Sequence, residues 1–138
     1  MPYSHAGAIK YLGDYMKNLA KLAAGLVGLF SLAMGLMAWI DPSKVGDIIG
    51  LTGVAELGQH TLRGDIGAVF LASALGCGLA LFKGKVAGLK LPIIIYGFVL
   101  IGRLISFVLT GNGAGVMMPI VTEVVLIALS IFAYRILS

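Results

Sequence analysis

Four long apolar runs dominate the hydrophobic pattern of this chain. They cover residues 22–40, 62–82, 91–110 and 117–137, and each carries few or no charged residues. A helix of about 20 apolar residues crosses the ~30 Å hydrocarbon core of a bilayer. The pattern therefore predicts an all-α integral membrane protein whose four transmembrane helices form one bundle, a single domain over residues 1–138.

Two segments outside these runs have a mixed polar and apolar pattern. Residues 1–18 combine tyrosines with lysines, as is typical of an interfacial segment at headgroup level, and the apolar run that follows is long enough to span, so we expect no signal peptide. Met16 is a candidate alternative start, which would make residues 1–15 dispensable. Residues 43–60 are punctuated by glycine and carry acids near both ends, Asp47 and Glu56. This segment is too short to span and predicts a short amphipathic or re-entrant cap on the bundle.

Small residues recur at helical spacing in the first two apolar runs. Such residues let neighbouring backbones approach closely. In the first run they are Ala24, Gly28, Ser31 and Gly35; in the second, Gly64, Ala68, Ala72, Gly76 and Ala80 follow one another at every fourth position. Together with Gly67 and Gly102, the ridge of the second run predicts close helix packing, with Asp65 facing neighbouring helices and Arg63 reaching around the rim or to lipid headgroups.

Composition supports the membrane assignment and narrows the possible partners. The chain is 59% hydrophobic and 12% charged with a mean hydropathy of +1.04, which is too apolar for a soluble domain of this size. Its net charge of +4 comes largely from lysines that flank the apolar runs, so we expect contact with membrane lipids and no nucleic-acid partner. The one cysteine, Cys77, excludes an internal disulfide and a multi-cysteine metal site.

Apart from Arg135 at the carboxyl-terminal end of the last run, four charged residues lie within or at the mouth of the apolar runs: Arg63, Asp65, Arg103 and Glu123. Each charge costs roughly 2.5 to 3.5 kcal/mol at the centre of a membrane helix, so such groups usually face protein or water. Lysines before the first run and between the second and third predict cytoplasmic termini in a bacterial inner membrane. That orientation places Arg103 and Glu123 about 9 to 11 Å below the outer surface and Asp65 about 5 Å above them, in one charged layer.

Further polar residues accompany this layer, but they include no catalytic set. Tyr96 and Ser106 share a helical face with Arg103, and His60 lies just before Arg63, so we treat these three as supporting polar residues. The second histidine, His5, is expected on the opposite side of the membrane, which excludes a shared metal site. No combination of serine, histidine and acid converges, and no cofactor is indicated.

Three functional hypotheses follow from the charged layer. In the first, it serves only to fix helix register through ion pairs, with Arg103 bound to Glu123 and Arg63 to Asp65 or Glu56. In the second, it lines a pocket for an amphipathic ligand such as a lipid or quinone, or supports the assembly of a larger membrane complex. The third option is movement of protons or ions through a homo-oligomer. A membrane-embedded isomerase or oxidoreductase that uses Glu123 with Arg103 ranks below binding, because there are so few candidate groups.

Three motifs in order, LRGDIGAVF, IGRLISFVLTGNG and PIVTEVVL, resemble an uncharacterised bacterial family of small four-helix membrane proteins related to the DoxX-like group. The resemblance covers roughly residues 17–138 and rests on Arg63, Gly64 and Gly67 in the first motif, Gly102 and Arg103 in the second, and Glu123 in the third. Ala68 stands where that family usually has a second glycine. The resemblance implies an accessory role beside other membrane proteins.

Overall fold

The structure, a computed structural model, describes residues 5–111 and 115–138. The first four residues of the expected interfacial segment and Asn112, in the second of the three motifs, lie outside these residues. The helices in chain order are α1 (His5–Ile40), α2 (Pro42–Ile48), α3 (Glu56–Thr61), α4 (Gly67–Lys83), α5 (Lys90–Thr110) and α6 (Met117–Leu137). A π-helical turn, Leu62–Ile66, joins α3 to α4, and a 3-10 turn, Val86–Leu89, leads into α5.

Four helical stretches are long and apolar enough to cross a membrane: Gly7–Ile40, Glu56–Lys83, Val86–Thr110 and Met117–Leu137. They match the four apolar runs of the sequence. The chain is therefore a multi-pass membrane protein built as an all-α bundle, and the predicted fold class is confirmed. No strand occurs in the two described ranges.

Helix α1 is longer than a membrane span. Its 36 residues correspond to about 54 Å, compared with the ~30 Å of a hydrocarbon core. The expected interfacial segment is not separated from the span by a break, because the helix continues through Asn18 with regular geometry. The amino-terminal part of α1 is thus a continuous helical extension of the span, on which Ile9, Leu12 and Tyr15 are exposed.

Helix α2 forms the predicted cap at the end of α1. The Asp41 side chain accepts a hydrogen bond from the backbone N–H of Lys44, and Pro42 occupies the first turn, where no intrahelical N–H bond is lost. The buried side chain of Val45 packs against Met34 and Ala38 of α1. This contact holds α2 against the carboxyl-terminal end of α1.

The second span begins earlier than the hydrophobic pattern predicts. Glu56–Thr61 is already helical and runs through the π-helical turn into α4, so the carboxyl-terminal part of the expected cap segment belongs to the span. The span ends at Gly84, whose φ of +64° is the left-handed conformation that favours glycine at a helix carboxyl terminus.

The core lies where α1 packs against α4 and α6, and where α5 packs against α6. Its fully buried members include Val27, Cys77, Leu89 and Tyr96, each no more than 2% exposed. In hydrocarbon this packing rests on close van der Waals contact, because lipid tails are as apolar as the side chains themselves.

Glycines provide the close approaches, but only some of the predicted ones do so. A Cβ at Gly28 would stand 2.9 Å from the Cβ of Cys77, one at Gly67 would stand 2.8 Å from the Trp39 ring, and one at Gly76 would overlap the backbone oxygen of Gly88. These three positions confirm the packing prediction. Gly35 belongs with them, since a Cβ there would meet Leu71 at 2.6 Å.

The packing prediction is wrong at the amino-terminal end of the ridge, and it is also wrong for the glycine predicted to pack in the third span. Added Cβ atoms at Gly64 and Gly102 would meet nothing within 4 Å, and Ala68 is exposed, whereas Ala72 is half-buried and Ala80 is buried. Four residues advance a helix by about 400°, so a row at every fourth position drifts by about 40° per step and leaves the interface.

Candidate functional site

Arg103 of α5 and Glu123 of α6 form an ion pair between neighbouring helices. The Arg103 Nε donates to Glu123 Oε1 at 2.5 Å, and the two side chains are 32% and 8% exposed. The sequence predicted equal depth for the two residues and offered their pairing as one of the open alternatives, and the observed contact agrees with that alternative. It is the one ion pair found among the described residues.

A cavity of about 360 Å³ borders this pair. Apolar side chains from four helices form most of its wall, among them Phe30 and Met34 of α1, Phe70 of α4, Val99 of α5 and Leu126 of α6. Ile48 and Ile49, at the end of α2, and Met118 and Pro119, in the first turn of α6, line the cavity at the end of the bundle that carries the cap. The cavity is therefore an apolar space with a charged pair in its wall.

The other hydroxyl groups in the wall already have partners. The Tyr96 hydroxyl shares a 2.6 Å hydrogen bond with Ser31 Oγ, and Ser31 Oγ also lies 2.7 Å from the Val27 carbonyl oxygen, to which it donates. The Thr122 hydroxyl donates to the Met118 carbonyl oxygen at 3.0 Å. These bonds leave no free hydroxyl donor at either position.

One buried acceptor in the wall is different. Glu123 Oε2 is buried and makes no hydrogen bond to any described residue. Glu123 as a whole is 6% exposed, and α6 holds it at the cavity between Pro119 and Leu126. A buried carboxylate oxygen without a partner is costly and is normally satisfied by protein, water or ligand.

Arg63 and Asp65 are not part of this site. Both are exposed, and neither lines the cavity or forms an ion pair among the described residues. The Arg63 Nε donates to the Trp39 carbonyl oxygen at 3.2 Å, and Trp39 Nε1 donates to the Arg63 carbonyl oxygen at 3.1 Å. The predicted four-charge layer is therefore wrong for Arg63 and Asp65, and the prediction that Asp65 faces neighbouring helices is wrong as well. The hydrogen bonds between Arg63 and Trp39 instead tie the π-helical turn to the end of α1.

Two of the three predicted supporting residues also lie elsewhere. Ser106 and His60 are exposed and do not line the cavity, whereas Tyr96 lies in its wall and is 2% exposed. Arg103 is only half-buried, so it already lies at the edge of the buried face of α5. Ser106 follows it by three residues, a rotation of about 300° around the helix, and this rotation places the Ser106 side chain outside the bundle.

Sequence reasoning did not assign polar roles to Ser31 and Thr122. Ser31 was placed only among small packing residues, although it is the hydrogen-bond partner of Tyr96. Thr122 directly precedes Glu123, and the charge of Glu123 was the sequence signal that could have pointed to a polar role for Thr122. No group of three or more histidine, cysteine, aspartate or glutamate side chains that could hold a metal occurs in residues 5–111 and 115–138.

The fold and the site together define a multi-pass, all-α membrane protein with an apolar cavity and a neutral Arg–Glu pair in its wall. Comparison of the chain with protein-family models, with curated proteins and with solved structures found no match. The resemblance to the DoxX-related family therefore stays a prediction.

Proposed function

We propose that this protein binds an amphipathic molecule, such as a lipid or quinone, in the cavity beside Arg103 and Glu123. The observation that carries the proposal is a cavity of about 360 Å³ with an apolar wall and one buried, unpartnered carboxylate oxygen. Small-molecule sites generally combine a largely apolar wall with a few oriented polar groups, in volumes of about 300 to 1,000 Å³.

The unpartnered oxygen of Glu123 supports ligand binding over a purely structural ion pair. A pair that served only to fix helix register would gain most with both carboxylate oxygens satisfied within the protein, because each unsatisfied buried oxygen costs about 1–3 kcal/mol or more. Here one of the two oxygens is left open at a cavity. The cost is recovered when a bound molecule supplies the missing hydrogen bond.

The proposal is tested by blocking the cavity. Val99 is half-buried and lines the cavity, whereas Val108 on the same helix is 81% exposed. We expect native mass spectrometry in a mild detergent to detect a retained lipid-like molecule on the wild-type protein and on the Val108→Trp variant, but not on Val99→Trp. Equal retention by the two variants, or none by the wild type, would contradict cavity binding.

The same measurement addresses an accessory role in a larger membrane complex, which the resemblance to the DoxX-related family implies. A partner subunit or further copies of this chain would co-purify and appear as added mass. The alternatives of a membrane-embedded isomerase or oxidoreductase using Glu123 and Arg103, and of a homo-oligomeric transporter, predict turnover lost in Glu123→Gln and uptake into liposomes, respectively.

The proposed setting is a bacterial inner membrane with both termini in the cytoplasm, supported by Lys83, Lys85 and Lys90 between the second and third spans. Cysteine labelling tests it, because Cys77 is buried and gives little background. A membrane-impermeant maleimide applied to spheroplasts is expected to label Met117→Cys directly and Lys85→Cys only after permeabilisation. The reverse pattern would invert the proposed orientation.

A further inference from the structure

We infer that the bound molecule is an uncharged amphiphile whose polar end carries a hydroxyl-type donor, and that Glu123 Oε2 accepts its hydrogen bond. This inference rests on the proposed function and specifies the class of ligand. It follows from the charge of the site, from the hydrogen-bonding inventory of the cavity wall, and from the apolar character of the remaining lining.

The charge of the site excludes a charged ligand. Arginine stays protonated in proteins, so an ionised Glu123 is what neutralises Arg103 in this apolar setting. The two residues are the only charged ones in the described lining of the cavity. A fatty acid anion or an ammonium head would add a net charge that no other group in the wall balances, which is costly at low dielectric.

The hydrogen-bonding groups of the cavity wall favour a ligand that carries a hydrogen-bond donor. An ionised carboxylate only accepts hydrogen bonds, and its Oε1 already receives the Arg103 Nε. The Tyr96 and Thr122 hydroxyls have partners within the bundle. The open position at Glu123 Oε2 is therefore an acceptor, which an alcohol or phenol satisfies. An ether, ester or ketone can accept a hydrogen bond from the remaining Arg103 N–H groups, but it leaves Glu123 Oε2 without a donor.

The rest of the wall suits a hydrocarbon portion better than a second polar group. Phe30, Phe70 and Leu126 present apolar surface around the ion pair. A lone water at Glu123 Oε2 would need two to four polar partners to be held well, and the neighbouring hydroxyls are already engaged. A hydroxyl attached to an apolar body meets both requirements in one molecule.

Two isomeric probes test the inference: 1-decanol and methyl nonyl ether, which have the same atoms and differ in the presence of an O–H donor. Their binding to the detergent-solubilised wild-type protein is measured by native mass spectrometry and by the shift in thermal unfolding. A hydrogen bond to a charged group favours the alcohol by about tenfold or more. We also expect decanoate to bind more weakly than 1-decanol.

Variants assign the preference to Glu123. In Glu123→Gln the alcohol-to-ether ratio is expected to fall to about threefold or less, because the amide presents a donor as well as an acceptor. The matched control is Asp65→Asn, which changes an exposed acid away from the cavity and is expected to keep the wild-type ratio. If Glu123→Gln does not fold, the three probes on the wild-type protein decide the question alone.

The outcomes separate the two proposals. Equal binding of 1-decanol and methyl nonyl ether, blocked in Val99→Trp, would overturn the donor requirement and leave cavity binding standing; this is also the result expected if water alone satisfies Glu123 Oε2. Preferred binding of decanoate would overturn the charge argument. Binding of none of the probes, with no retained native molecule, would overturn both proposals.

Discussion

Replacing Arg103 with leucine leaves the carboxylate of Glu123 buried without a counter-charge. Removing one partner of a buried ion pair costs about 3–5 kcal/mol, and the 32% exposure of the Arg103 side chain places this pair at or below the lower end of that range. We therefore expect Arg103→Leu to lower the free energy of unfolding by about 2–3 kcal/mol.

The reverse change and the double change complete a thermodynamic cycle. Glu123→Leu leaves an arginine that is partly exposed and has a long side chain able to reach headgroups, so its cost is expected to be smaller, about 1–2 kcal/mol. The double variant with leucine at both positions is expected within about 1 kcal/mol of the wild type, since apolar replacement of a buried pair is often neutral. The coupling energy is then about 4 kcal/mol, well above the ~1.7 kcal/mol maximum measured for interhelical hydrogen bonds in a membrane protein.

The assay is reversible unfolding in mixed detergent micelles, in which increasing SDS unfolds the protein and circular dichroism follows the helix content. A coupling energy below about 0.5 kcal/mol, or a double variant as unstable as the sum of the single ones, would refute the view that the pair is buried and mutually dependent.

Three further changes probe the packing and the boundary of the site. Gly76→Ala is expected to destabilise the bundle by about 1–3 kcal/mol, because the new methyl group overlaps backbone, whereas Gly102→Ala meets open space and is expected to be neutral or to stabilise by up to about 1 kcal/mol in the same unfolding assay. Equal effects would contradict the assigned interface. Tyr96→Phe removes the bond to its serine partner and is expected to cost about 0.5–1.5 kcal/mol, compared with no measurable change for the exposed control Tyr15→Phe. Arg63→Leu is expected to leave 1-decanol binding within about twofold of wild type, since the side chain lies outside the cavity; a loss as large as that in Glu123→Gln would return Arg63 to the site.

The ion pair could be predicted from the sequence because helix geometry alone determines depth. Arg103 lies seven residues before the end of α5 and Glu123 six residues after the start of α6, so two antiparallel helices joined by a short loop place them at the same level. Burying opposite charges together is also strongly favoured in hydrocarbon. Depth and charge therefore sufficed for this pair.

Depth did not suffice for Arg63 and Asp65, because residues at one level can still point in any direction around a helix. The π-helical turn at Leu62–Ile66 changes the rotation of the second span at that point, and its presence is not evident in the hydrophobic pattern. As a result the Arg63 side chain bonds to the backbone of Trp39, and Asp65 is exposed.

The sequence by itself determined four spans, the cap after the first of them, and the equal depth of Arg103 and Glu123, because hydrophobic length and charge cost act on each segment separately. Only the tertiary structure decided which glycines touch a neighbouring backbone, where the cavity lies, and that Glu123 Oε2 has no partner among the described residues. Those properties depend on the rotation and the separation of several helices at once, which no single segment encodes.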